Sequence, residues 1–372
     1  MPLNLLVIPD KFKGTLSAGA AAEAIAQGWR QTRPKDNLEL LPMSDGGDGF
    51  GDVISRLMGA KRQRIKTVDA AHRPCVTGWW WEPNSKTAII ESASVIGLAM
   101  LPPRRFHPFG LDTFGLGLVM RKAAEKGARR CLIGIGGSAT NDAGFGLARA
   151  LGWEFLDSKG NGIETWTELP SLARLRAPRR RRWFEELVVA VDVENPLLGP
   201  EGATRVYGPQ KGLRPEDFAL AERCLNRVAK VVRNDKERNF AREPGAGAAG
   251  GLGFGFLAFA NARLEPGFAL FARQARLERH LRWANLVITG EGAIDESTLM
   301  GKGVGQIARR CRSLRIPCIS LAGVVSNCAA QRRLFTELHS LSDLTSLKQA
   351  KAKPGFWLKR LAAKVAADVI SD

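Results

Sequence analysis

Residues 131–150, CLIGIGGSATNDAGFGLARA, decide how this chain is read. Cys131–Ile135 is all apolar or small, the pattern of a short buried strand. Gly136 and Gly137 follow, and glycine permits backbone angles and close approaches that a β-carbon blocks. Ser138, Thr140, Asn141 and Asp142 can each cap a helix, and Gly144–Ala150 opens an apolar-periodic segment. A glycine-rich turn from a strand into a helix N-terminus is an anion site, because free N–H groups and the helix dipole favour negative charge. Asp142 would repel a bare phosphate, yet beside a phosphate-bound Mg²⁺ it would be a hard oxygen ligand. The stretch points to phosphoryl transfer.

Similar blocks recur along the chain. Leu3–Ile8 is a continuous apolar run, as a central parallel strand requires. Asp10, Lys11 and Lys13 lie in the loop after it, and lysines beside a strand's carboxyl end suit an anionic ligand. Ser17 is the expected N-cap of a helix whose buried face is Ala22, Ile25, Ala26 and Trp29. The strand Leu38–Pro42 opens onto Asp45 and Asp48, with Gly46 and Gly47 between them. Helix capping accounts for one of these acids; two around a glycine pair also suit Mg²⁺ or a general base.

Lys66–Trp81 and Lys86–Glu91 alternate like antiparallel strands, with Trp79, Trp80 and Trp81 as packing residues. Thr113–Lys126 reads as helix, and Gly152–Asp157 and Leu187–Val193 as strands, with Asp192 at a carboxyl end. Lys211 falls in a loop, and Arg214–Arg233 is helical. The cluster GAGAAGG, containing Gly247, follows Pro244 and a polar segment instead of a strand, so it reads as a loop cradling phosphate or substrate. The strand Asn285–Thr289 leads to Glu291, Asp295 and Lys302, separated by glycines. Strands at Ile316–Ala322 and Leu338–Leu341 and a helix at Phe356–Ile370 complete the chain.

Composition narrows the classes. The 372 residues suffice for two domains with real cores. No apolar run reaches membrane-spanning length, and the N-terminus carries no basic leader, so no membrane partner is expected. Six cysteines without CxxC spacing read as free thiols in a reducing cytoplasm. Four scattered histidines give little support to a zinc site or a Ser–His–Asp triad. Lys and Arg number 55 against 37 for Asp and Glu, a net charge of +18 that draws in anions. The densest run, RLRAPRRRRW at 174–183, reads as a solvated surface loop, and a nucleic-acid partner is not expected from it.

A rival class is a nicotinamide-dependent oxidoreductase. Gly134, Gly136 and Ala139 match G-x-G-x-x-A, and Asp157 falls where a ribose-binding carboxylate would. Against it stand the other glycine-rich loops with acids and lysines, which suit electrostatic clamping of a transferring phosphoryl group and not hydride transfer.

Seven ordered blocks carry a resemblance: PDKFKGTLSA, SDGGDG, GIGGSATNDAG, DVENPLLG, YGPQKG, GAGAAGGLGFG and TGEGAID…GKG. The chain resembles the bacterial type I glycerate kinases nearly end to end, from Leu3 to Ile370. The resemblance implies a two-domain α/β enzyme: a flavodoxin-like parallel-sheet domain built from 1–66 and 283–372, and an inserted restriction-endonuclease-like α/β domain at 67–282. The active site is expected in the cleft between them. The implied reaction is ATP-dependent phosphorylation of D-glycerate, with Mg²⁺, to 2-phosphoglycerate. Another small hydroxy acid is the alternative substrate, and a homodimer is left open.

For that reaction Lys11 or Lys13 would hold the substrate carboxylate, and Lys211 or Lys302 the phosphates. Gly136, Gly137, Ser138, Thr140, Asn141 and Gly247 would line the substrate and phosphate site. Mg²⁺ ligands would come from Asp45, Asp48, Asp142 and Glu291. Asp192 is the first choice for the base and Asp45 the second. The chain departs from the family pattern at Ala293, where Arg is expected, at Ala143, where Gly is expected, and at Leu118, where Glu is expected. Loss of an Arg near the TGEG loop bears on which hydroxy acid is bound.

Overall fold

Leu5, Leu6, Val7 and Ile8 are all fully buried, which a strand covered on both faces demands. They belong to β1 of a computed structural model that describes residues 2–299, 303–326 and 333–369. Its strands in chain order are β1 (Asn4–Pro9), β2 (Asn37–Leu40), β3 (Lys61–Val68), β4 (Pro74–Glu82), β5 (Thr87–Glu91), β6 (Arg130–Gly134), β7 (Glu154–Leu156), β8 (Arg174–Arg176), β9 (Glu186–Val191), β10 (Arg263–Pro266), β11 (Leu286–Gly290), β12 (Ala293–Ile294), β13 (Cys318–Ala322), β14 (Val324–Val325) and β15 (Glu337–Ser340). The chain is mixed α/β, and it divides into two compact units, Met1–Asp45 with Phe268–Asp372, and Gly46–Gly267.

The first unit holds a parallel sheet in the order β2-β1-β11-β13-β15. Counted within the sheet, that order is 2-1-3-4-5, which reverses direction between β1 and β11. Ser17 caps the helix Ala18–Thr32 by accepting from the Ala20 N–H, as its sequence position predicts. The buried face of that helix includes Ala22, Ile25, Ala26 and Trp29. It packs on the sheet and against the helix Pro354–Asp368, whose Leu358, Leu361 and Val365 join the same core.

The second unit holds a sheet in the order β10-β9-β6-β5-β4-β3. β3, β4 and β5 run antiparallel, as their alternation predicts, whereas β5, β6, β9 and β10 pair in parallel. Trp79 and Trp80 are buried, in keeping with a packing role.

Several elements differ from the sequence reading. The expected border at 66/67 falls inside β3, which pairs with β4 along its whole length, from Lys61 opposite Trp81 to Val68 opposite Pro74. The helix Phe50–Met58 also belongs to the second unit, with Phe50, Val53 and Ile54 buried. At the other border Phe268–Trp283 joins the first unit: Arg310 pairs with Glu278 at 2.8 Å and lies over the Phe268 ring. Lys211 is not in a loop. It is the last residue of the helix Ala203–Lys211, which ends at left-handed Gly212. The first three residues of the arginine-rich run form β8, paired with β7. The helix expected to end at Arg233 runs over Phe218–Lys236.

Gly28 sets the approach of the two helices in the first unit. A β-carbon there would lie 2.1 Å from the Lys359 carbonyl oxygen and 2.9 Å from the Ala362 Cβ. Gly28→Ala should therefore destabilise the protein by roughly 1–3 kcal/mol, the usual cost of overpacking. Gly110→Ala, where nothing lies within 4 Å, should be near neutral. Urea unfolding of the two variants separates them; equal midpoints would remove the helix-contact argument.

Candidate active site

In the first unit the sheet order reverses between β1 and β11, so their carboxyl ends form the crevice where such sheets bind ligands. Asp10 follows β1 and Glu291 follows β11. Asp10 is 7% exposed, and its carboxylate accepts the Lys11 N–H at 2.7 Å. The Lys11 ammonium reaches Asp45 at 3.4 Å. Glu291 is buried and accepts from the Thr298 hydroxyl at 2.9 Å. Burial, and then the Asp45 carboxylate, push Asp10 up to about 7 against the opposing pull of Lys11. Lys13 is exposed in the following turn. Lys302 lies outside the described residues. Thus Lys11, Asp45 and Glu291 come together around Asp10, to which sequence reasoning gave no role.

The second unit gathers a separate polar group beneath the 131–150 stretch. Asp142 is fully buried and takes four hydrogen bonds: from the N–H and hydroxyl of Thr113 and from the N–H groups of Gly144 and Gly146. The Thr113 hydroxyl in turn accepts from the Leu147 N–H at 2.8 Å. Asp142 therefore ties the N-terminus of the helix Phe145–Ala150 to the residue preceding the helix Phe114–Glu125. Burial and nearby Asp112 raise its carboxyl to about 6. Lys211, also buried, donates to the Thr140 carbonyl at 2.6 Å. Burial lowers its ammonium to about 7, partly offset by Asp142. Asn141 is fully buried, with its amide on the Thr204 hydroxyl at 3.1 Å. Ser138 and Thr140 share a hydroxyl contact at 2.8 Å.

The glycines expected to cradle phosphate are sites of close backbone contact. A β-carbon on Gly136 would sit 2.6 Å from the Gly47 Cα, and one on Gly247 2.1 Å from the Pro196 carbonyl oxygen. Gly250, left-handed, would meet the Thr140 carbonyl oxygen at 2.0 Å. A β-carbon on Gly137 would crowd the Asp48 carboxylate at 2.3 Å. Neither Asp45 nor Asp48 caps the helix Phe50–Met58, contrary to the capping reading. Glu91, at the end of β5, does so from a distance in sequence, accepting from the N–H groups of Gly49 and Gly51 at 3.0 and 2.9 Å. Asp48 is left exposed beside Gly137, and Asp192 is exposed one residue past β9.

Glu91 and Thr113 were missed because their partners lie 29 or more residues away, and a lone Glu or Thr carries no local signal. Asp10 could have been found, since an acid directly after a central strand is a known ligand position. The dinucleotide rival loses its acid: Asp157 accepts from Lys159 and Asn161 in its own turn. Of the departures from the family pattern, Ala143 stands at φ 51°, where glycine is the low-cost residue, and Ala293 is exposed in β12.

Buried lysine, paired carboxylates and strand-end loops in a parallel α/β setting define a protein of phosphate-handling type. Comparison with known proteins narrows this. The model of the glycerate kinase family matches residues 5–370. A Bacillus subtilis glycerate kinase is 34% identical, with 99% of this chain and 98% of that protein covered. The glycerate 2-kinase of Escherichia coli K12 is 35% identical, with 87% and 86% covered. A crystal structure from Salmonella typhimurium LT2, described as a candidate glycerate kinase 2, superposes with a TM-score of 0.85 at 31% identity, covering 100% of this chain and 99% of that one. The chain belongs to the glycerate kinase family and is an enzyme of the kinase class. Among the described residues no helix is long and apolar enough to cross a membrane.

The lowered Lys211 gives a pH signature. The folded protein binds fewer protons here than the unfolded chain between about 7 and 10.5, so Lys211 adds stability as pH rises through that window. Lys211→Met should abolish that rise, worth about 1.4 kcal/mol for each pH unit of displacement. Denaturation at pH 7 and pH 10 measures it. Identical pH slopes in variant and wild type would show that the buried ammonium is not perturbed.

Proposed function

We infer that this enzyme phosphorylates D-glycerate with ATP and Mg²⁺, giving 2-phosphoglycerate. The observation that carries the reading is the group formed by Asp10, Lys11, Asp45 and Glu291 at the reversal point of the parallel sheet. Kinase chemistry needs a cation for an anionic substrate, oxygen donors for a metal and a proton acceptor. That group contains all three kinds. The 2-1-3-4-5 strand order supports a flavodoxin-like reading of the first unit, and the parallel-antiparallel sheet of the second is compatible with a restriction-endonuclease-like insertion.

Among the described residues no three His, Cys, Asp or Glu side chains come close enough to hold a bare metal ion. A divalent cation fits better with one or two carboxylates and the nucleotide's own phosphates, the usual arrangement for Mg²⁺ in kinases. Asp45 and Glu291 are the favoured protein donors, with Asp48 in reserve. Asp142, with four hydrogen bonds already, is assigned instead to positioning the 138–147 loop. When bound, Mg²⁺ would screen the charge of the nucleotide phosphates.

Lys11 orients the glycerate carboxylate, with Lys13 as the exposed alternative. Lys211 holds the Thr140 carbonyl and thereby the backbone of the Ser138–Asn141 turn, from which phosphate contacts would come. The attacking hydroxyl gives its proton to a carboxylate. Asp192 and Asp10 are the candidates, and the raised value of Asp10 suits a base working near neutral pH. The free thiols at Cys75, Cys131, Cys224, Cys311 and Cys318 favour a cytoplasmic setting.

A coupled assay of ADP release with D-glycerate, followed by NMR of the product, tests the reading. Release of ADP with 2-phosphoglycerate as product is expected; turnover only with another hydroxy acid would redirect the substrate to that acid, with exposed Ala293 as the marker. Asp192→Asn and Asp10→Asn distinguish the bases: the true base loses at least ~10²-fold in kcat with folding intact. Loss of the pH–rate limb near 7 in Asp10→Asn alone would select Asp10. A near-wild-type rate removes the residue concerned from that role.

A further inference from the structure

The arginine run of the second unit takes no part in the chemistry above. Arg179, Arg180, Arg181 and Arg182 are all exposed between β8 and β9. Neighbouring arginines are neutralised: Arg129 pairs with Glu185, Arg130 with Glu186, and Arg176 with Glu154. Among the described residues, none of the four has a carboxylate within ion-pair distance.

The run is nonetheless held in place. The Arg180 guanidinium donates to the carbonyls of Arg182 and Trp183 at 3.4 and 3.3 Å. That of Arg182 donates to the carbonyls of Phe184 and Glu185 at 3.2 and 2.5 Å. Arg180 also lies over the Trp183 ring at 4.4 Å, with Arg121 from the helix Phe114–Glu125 over the same ring at 5.8 Å. Arg181 sits within electrostatic reach of Lys236, whose ammonium covers the Trp153 ring at 5.0 Å. A guanidinium has five N–H donors, so Arg180 and Arg182 each keep several for a ligand after fixing themselves to backbone carbonyls.

We propose that this patch, built on Arg179–Arg182 with Arg121 and Lys236, binds the phosphate backbone of nucleic acid without sequence preference. Three features select that partner. Planar guanidiniums match phosphate oxygens in a two-pronged way, and those of Arg180 and Arg182 are already fixed before binding. The four successive guanidiniums of Arg179–Arg182 are exposed and carry no ion pair to a carboxylate among the described residues, which favours a chain of phosphates over a single small anion. The net charge of +18 adds long-range attraction to a polyanion, which a small-molecule kinase reaction does not require.

The test uses the full-length enzyme and a fluorescein-labelled 20-nucleotide oligo(dT), with binding followed by anisotropy over a series of salt concentrations. Binding at 50 mM salt is expected, with log K falling against log salt at a slope of about −2 to −3, as three or four single-strand phosphate contacts give. The quadruple variant R179S/R180S/R181S/R182S should lose at least ~10-fold in affinity and flatten that slope. Its phosphorylation of D-glycerate should not change. The corresponding four-lysine variant, which keeps the charge, should keep most of the binding and guards against a folding artefact. Absence of binding at 50 mM salt, or equal binding by the serine variant, overturns the proposal. Tighter binding to phosphatidylserine-containing vesicles or to polyglutamate than to the oligonucleotide also overturns it, in favour of a membrane or an acidic protein.

Discussion

The second unit depends on backbone touching backbone with no side chain between. Gly136 meets Gly47, Gly144 meets Gly255, Gly250 meets the Thr140 carbonyl and Gly247 meets the Pro196 carbonyl. Each contact leaves less than the room that a β-carbon needs. Two stretches far apart in the chain, around Gly47 and Gly250–Gly255, are thereby drawn onto the loop after β6, and the second of them also holds Pro196. The interior is close-packed, so a shift in one of them would be felt by the others. Glycine enrichment in this family motif therefore has a packing cause in this chain, whatever the ligand adds to it.

Into that glycine framework the second unit inserts charge. Asp142 is buried with four donors around it, and Lys211 is buried on a carbonyl. Both are displaced toward neutrality by the same cause, loss of water, which raises an acid and lowers a base. Ionised groups in such places are expensive to maintain, and they hold loops in single geometries. In the first unit the balance differs. Asp10 is raised by burial too, but the like charges of Asp45 and Glu291 add to it and Lys11 alone opposes, which brings its carboxyl up to about 7.

Much of this was legible in advance. The apolar runs at 3–8 and 285–289 announced central strands, Ser17 announced a cap, and the ordered motif blocks announced the family. The first compact unit ends at Asp45, ahead of the expected 66/67 border, because the helix Phe50–Met58 follows the first sheet in sequence but buries its apolar stripe with the second unit. A hydrophobic stripe shows that a helix has a buried face; it does not say which core receives it. Lys211 was misread for a related reason. Pro209 and Gly212 signal a loop, yet the proline is tolerated near the end of a short helix that Gly212 then terminates.

The sequence by itself determined the strand and helix types, the family, and the residue kinds available for phosphate chemistry, because periodicity, caps and motif spacing are local properties. Only the tertiary structure decided what surrounds each acid. Asp142 became a buried anchor through Thr113, 29 residues away, and Asp48 was relieved of capping by Glu91 across the fold. Asp10 acquired its raised value from burial first, and then from Asp45 and Glu291, brought beside it by β2 and β11. A carboxylate's role is set by its donors, its burial and its charged neighbours, and these come from segments that sequence order keeps apart.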